Sequence, residues 1–242
     1  MTERKTSHSV IRTGRPLTDH ATPTDKPVLE LAVNGSAATL FAESPRPLAS
    51  HPGAGTWGTL LERPEEGSTN SPVLLQWLAP DATRPPLHVH PTTESFKVLN
   101  GTLTVVAGDN IYRLDEKQNF TVDPGVEHTF RNDTDNFVAF KAKPPSMKTV
   151  KSLYTTWGLD HDGAFGDDGE FGEPDPLHGL ILSEDLYDET KITIAPLPVQ
   201  QVLWATVGRM ARHLGYSGID ESYLCDEYWR HHVEQPDLSR FK

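Results

Sequence analysis

Between residue 28 and about residue 143 the chain is a series of short apolar or alternating runs rich in β-branched and aromatic residues, each closed by Pro, Gly, Asn or Asp. The runs fall at residues 28–33, 37–42, 73–78, 94–99, 102–106, 120–122 and 137–141. Alternation with a period of two is the mark of strands buried on one face, and many short strands with frequent turns make a sandwich, jelly roll or barrel. After Pro144 and Pro145 the pattern changes. Residues 160–176 are crowded with Asp, Glu and Gly, and helical spacing follows. Val199, Leu203, Val207, Met210 and Leu214 recur every three to four positions before Gly215, which predicts an amphipathic helix that buries this stripe against the barrel or a partner subunit. Further helices are expected at about 175–186 and 222–233. No internal repeat is visible.

Residues 1–26 lack any such period and carry Pro16 and Pro23, so they are expected to form a flexible N-terminal arm. The expected organisation is an arm at 1–26, a barrel at 27–145 and a helical C-terminal extension at 146–242 packed on the barrel. Five Trp and nine Phe in 242 residues are ample for one buried core. No run approaches the roughly 18 to 20 apolar residues of a membrane span, and the polar start predicts neither a signal peptide nor a membrane anchor. Cys225 is the single cysteine, so no internal disulfide can form and a reducing, cytoplasmic location is expected. The formal charge of -12 repels phosphate backbones and anionic lipid, which argues against nucleic acid and membrane partners. A solubility surface explains this charge, and a salt-adapted host would leave the same signature.

The chemistry is concentrated in Pro85-Pro86-Leu87-His88-Val89-His90-Pro91-Thr92-Thr93-Glu94, followed after a hairpin by Asp123-Pro124-Gly125-Val126-Glu127-His128. Alternation puts His88 and His90 on one strand face. Glu94 has the same parity, but four extended residues would carry it on the order of 13 Å from His90, too far to share an ion. The chain must therefore bend, and Pro91 supplies the break. His128 must arrive on a different strand, after the Asp123-Pro124-Gly125 turn. Glu127 is a substitute for Glu94 only in principle, because alternation with His128 turns it outward.

These residues resemble the two motifs of the cupin superfamily across about residues 82–132. The first motif, G-x5-H-x-H-x3-E-x6-G, is matched by His88, His90, Glu94 and Gly101, with Ala82 in place of the first glycine. The second, G-x5-P-x-G-x2-H-x3-N, is matched by Gly125, His128 and Asn132, with Lys117 in place of its glycine and the proline shifted to Pro124. The resemblance implies an all-β jelly-roll (cupin) barrel and a metal site of His88, His90, Glu94 and His128. It implies a divalent first-row transition metal (Fe, Mn, Ni, Cu or Zn), and, as in many mononuclear cupins, a dioxygenase-type oxidoreductase acting on a small organic substrate. A metal-dependent isomerase, epimerase or cyclase would use the same ligands, and a non-catalytic binding cupin is a third reading.

Phe96 and Phe130 share parity with Glu94 and His128, so they are expected to line the substrate pocket, although core packing alone also explains them. The expected partner is a small-molecule substrate, and pairing as a homodimer is compatible with the sequence. Cys225 is read as a structural thiol, and His231 and His232 as a surface pair. The acidic stretch 160–173 lacks the D-x-D-x-D-G spacing of a calcium loop and is read as solvated.

Overall fold

Continuous apolar sequence makes the strands that are buried on both faces. Strand β5 (Val73–Leu78) is buried at every residue, and β4 (Thr56–Glu62) at its first five. The computed structural model describes residues 9–25, 27–65, 67–166 and 170–239. It begins with β1 (Val10–Thr13), β2 (Leu29–Ala32) and helix α1 (Ser36–Glu43), followed by β3 (Ala49–His51) and then β4 and β5. Next come β6 (His88–Val89), β7 (Glu94–Asn100), β8 (Thr102–Ala107), β9 (Asn110–Asp115), β10 (Asn119–Val122), β11 (His128–Arg131) and β12 (Val138–Lys143). The C-terminal part holds α2 (Met147–His161), α3 (Pro176–Leu186), β13 (Lys191–Ile192), α4 (Leu197–Leu203), α5 (Arg209–His213) and α6 (Asp226–His232). A π-turn at Trp204–Gly208 joins α4 to α5 into one continuous helical rod.

The strands form a six-stranded antiparallel sheet, ordered β10-β7-β12-β5-β4-β3, and a five-stranded one, ordered β13-β6-β11-β8-β9. From β5 to β12 the chain crosses between the sheets at every step except β8 to β9, as a jelly roll requires. One core lies between them, built on Phe96, Val98, Leu103, Val105 and Phe140. A second lies where α1, α2 and α6 cover the outer face of the six-stranded sheet, with Trp57, Trp77, Tyr154, Trp157 and Trp229 at its centre. Helix α2 starts under a Ser146 cap that accepts from the Lys148 and Thr149 amides, and it buries Val150, Tyr154 and Trp157 at helical spacing.

Three expectations differ from the structure. Residues 37–42 were expected as a strand and lie in α1, where Ala37 and Ala38 are buried together. Adjacent buried residues suit a helix, and alanine favours one. Part of the segment expected to be a flexible arm is paired: β1 is antiparallel to β2, Pro16 bridges Val233, and Arg15 makes a two-pronged ion pair with Glu234 at 2.8 and 2.6 Å. The Trp57 indole donates to the Gly14 carbonyl. These partners lie up to 219 positions away, so no local period announces them. Residues 1–8 and Lys26 of that segment lie outside the described residues.

The third difference concerns the helix at 199–214, whose periodic stripe is not packed on the barrel. Val199, Leu203, Met210 and Leu214 face outward, 49%, 38%, 57% and 68% exposed, while Trp204 and Ala211 are buried. The indole is the larger apolar side chain, and it sets the inward face by packing on Tyr187 and donating to the Ser183 hydroxyl of α3.

Candidate metal centre

The loop from His90 to Thr93 carries the chain from the five-stranded sheet to the six-stranded one. His88 therefore sits in one sheet, on β6, and Glu94 opens β7 in the other. The bend that the spacing demanded is this crossing. His128 opens β11 and pairs in register with His88. Its strand is delivered by a turn in which the Val126 amide donates to the Asp123 carbonyl and Gly125 has φ +77°, the type II geometry that proline followed by glycine favours. The Gly125 amide also donates to the His90 carbonyl at 2.8 Å, tying the turn to the crossing loop.

His88, His90, Glu94 and His128 are all buried, and one ligand atom from each lies within 4.8 Å of the others. The three rings are oriented from behind. His88 Nδ1 meets the Pro86 carbonyl at 2.7 Å, and His128 Nδ1 meets the Val126 carbonyl at 2.8 Å. His90 Nδ1 faces the Thr190 hydroxyl at 3.1 Å and the Glu189 carbonyl at 3.3 Å. A carbonyl only accepts, so the proton of each neutral ring belongs on Nδ1, leaving the Nε2 lone pairs pointing inward. Around Glu94 Oε2 the Nε2 atoms stand at 2.8 Å (His128), 3.5 Å (His90) and 3.8 Å (His88). His90 Nε2 is buried without a hydrogen-bond partner among the described residues.

Four converging electron-pair donors in a buried space need positive charge between them. A divalent ion of borderline softness, with nitrogen and oxygen ligands, meets that need, so the donor set fits the metal that the sequence implies. The same electrostatics act on protons. Burial opposes ionisation of Glu94, yet the hydrogen bond with His128 and the two other imidazoles facing the carboxylate outweigh it and hold the carboxyl well below its ordinary value. Burial also works against the His128 imidazolium, but the Glu94 hydrogen bond and the Val126 carbonyl raise its pKa.

Phe96 is fully buried in the inter-sheet core, and Phe130 is half-buried. They share strand faces with Glu94 and His128, and their rings lie 5.2 Å apart, with Phe140 completing the group. Glu127 is exposed, as alternation predicts, and Cys225 is exposed. His231 is exposed, whereas His232 is half-buried and stacks on Tyr228 at 4.0 Å.

What local sequence does not show is the role of the C-terminal extension at this site. Strand β13 joins the edge of the five-stranded sheet, with Lys191 opposite Val89 and Ile192 opposite His88, and so brings Glu189 and Thr190 behind His90. The extension is thus part of the site. The only hint in the sequence is the β-branched run Ile192, Thr193, Ile194 between two helices.

Residues 74–140 match the family model for the cupin domain, and with the two-sheet architecture this establishes a cupin domain in the chain. Solved structures that it resembles include the polyketide cyclase RemF from Streptomyces resistomycificus, at 18% identity and TM-score 0.33, covering 36% of this chain and 63% of that one. An RmlC-like cupin from Shewanella frigidimarina is 17% identical with TM-score 0.36, covering 44% and 89%. A cupin-like protein from Thermotoga maritima is 22% identical with TM-score 0.33, covering 36% and 67%. This chain spans less than two thirds of the cyclase's length. No curated protein matches the sequence. Among the described residues no helix is long and apolar enough to cross a membrane.

Proposed function

We propose that this protein is a metal-dependent cupin enzyme that acts as an oxygenase on a small organic substrate. The observation that carries this reading is the inward convergence of three back-anchored Nε2 atoms and the Glu94 carboxylate, with His90 Nε2 lacking a hydrogen-bond partner among the described residues. His88, His90, Glu94 and His128 would hold the ion and would leave part of its coordination sphere open to other molecules. A bound ion of this kind supplies Lewis-acid and redox chemistry.

The chain's own groups do the rest. Pro86, Val126, Glu189 and Thr190 orient the three rings. The 2.8 Å contact between Glu94 Oε2 and His128 Nε2 is a place where a proton is held when no ion separates the two. Half-buried Phe130, on the strand face of His128, with the buried Phe96 and Phe140 behind it, makes the interior beside the ligands apolar, which favours an organic substrate over a hydrated one.

The test is oxygen uptake by the reduced, metal-loaded protein across a panel of small phenolic, enolic and carboxylate substrates. The reading expects substrate-dependent uptake that His128→Ala abolishes while the fold is retained. Turnover that persists without oxygen would transfer the assignment to isomerase or cyclase chemistry. A ligand recovered unchanged in either atmosphere would make the protein a binding module.

A further inference from the structure

Seven of the eleven exposed large hydrophobic residues in the described chain fall within residues 194–214. Val199, Val202, Leu203, Met210 and Leu214 form one stripe along the α4–α5 rod, with Ile194 just ahead of it at 77% exposure. The rod itself is firmly held. Trp204, Gly208 and Ala211 are buried on its other side, the Trp204 indole donates to Ser183, and the Arg212 guanidinium pairs with Glu184 and Asp185 of α3. A stripe displayed by an anchored helix is not a product of fraying.

We propose that this face pairs with the same face of a second copy of the chain, the two rods lying antiparallel across a two-fold axis. Three observations select that occupant. The exposed part of the stripe amounts to roughly 600 Å² per chain, at the top of what a monomer displays and close to the roughly 800 Å² that each partner brings to a stable interface. Charge comes second: residues 192–208 carry no Asp, Glu, Lys or Arg, in a chain of which 23% is charged. Charge depletion at the centre of a patch is a mark of interface cores. With a formal net charge of -12, an anionic lipid surface is a poor alternative.

The third observation is self-complementarity. Arg209 and His213 are exposed at the C-terminal end of the rod, beside Arg212 in its pairing with Glu184 and Asp185, whereas residues 197–203 are uncharged. Antiparallel pairing sets each basic end against the partner's neutral end, so like charges stay apart. This interface is independent of the metal centre and of the reaction proposed for it.

Sedimentation velocity of the full chain, from roughly 1 to 100 µM, reads the outcome directly. The expected species is a dimer of two 26.8 kDa chains. Val202→Asp combined with Met210→Asp should weaken it by at least about 30-fold, because carboxylates would be desolvated at the centre of the contact. Both positions are more than half exposed, so the circular dichroism spectrum and melting of the variant chain are expected to stay native. Ile111→Asp, on the exposed β9 edge, is the control and should leave the dimer intact. A wild type that stays monomeric at the highest concentration overturns the proposal, as does a dimer indifferent to the double variant. Flotation of a monomeric wild type with phosphatidylcholine vesicles, lost in the double variant, would assign the face to lipid instead.

Discussion

Replacing the Thr190 hydroxyl by a methyl group, in Thr190→Val, keeps the side chain's shape and removes one of the two groups that orient His90. The hydroxyl stands 3.1 Å from His90 Nδ1, and the remaining partner, the Glu189 carbonyl, is at a longer 3.3 Å. A hydrogen bond of this kind is worth about 0.5–1.5 kcal/mol, which corresponds to a metal-affinity loss of about 2- to 13-fold. Because Thr190 also meets Thr149 at 3.3 Å, a stability cost of about 1 kcal/mol accompanies it. Competition titration against a chromophoric chelator, with Zn(II) as the probe, measures the affinity. Thr193→Val is the matched control: its buried Oγ1 has no hydrogen-bond partner among the described residues, so a methyl there should leave both affinity and stability unharmed. Unchanged affinity in Thr190→Val, or an equal loss in Thr193→Val, would refute the claim that the extension orients the site.

Lys117 has φ +74° where the resembled motif carries glycine, so Lys117→Gly should stabilise the protein by about 1 kcal/mol, read as a higher urea midpoint; no change would mean that the turn carries no strain. A second buried group sets the pH response. Burial lowers His51 to about 4, and burial with the neighbouring His232 and His51 lowers His161 to about 3, while burial raises Asp160 to about 6. The depressed imidazoles contribute stability that is complete above the unfolded pKa and lost on acidification; the raised carboxyl opposes them, contributing stability that is lost as pH rises through 6. Between about pH 4.5 and 6 the unfolded chain binds two extra protons on the imidazoles and one fewer on the carboxyl, so unfolding free energy should fall by about 1.4 kcal/mol per unit of acidification. His161→Gln should flatten that slope to about zero in denaturant titrations, and a slope as steep as the wild type's would contradict the assignment.

The parts of the fold visible in the sequence are those with a local period. Strand β5 coincides with its expected bounds, and the pairing of His88 with His90 followed from alternation alone. The need for a bend before Glu94 followed from distance, and the structure meets it by changing sheets. Helix α2 also carried a readable signal, Ser146 followed by Val150, Tyr154 and Trp157, although it was not among the expected helices. What no local pattern reveals is pairing across long separations: β1 against β2, Arg15 with Glu234, and the two-residue strand β13 that brings Thr190 to His90. Strands that short have no period to read. The helix at 199–214 was legible as a helix but not in its orientation, because the periodic stripe and Trp204 competed for the inward face.

Whether His88, His90, Glu94 and His128 hold one metal ion is decided by elemental analysis of the protein purified without added metal. The expected result is close to one first-row transition-metal ion per chain, with His88→Ala and His128→Ala each reducing it severalfold while circular dichroism stays native, since losing one of four ligands leaves an incomplete shell. Stoichiometric metal retained in both folded variants would contradict the claim.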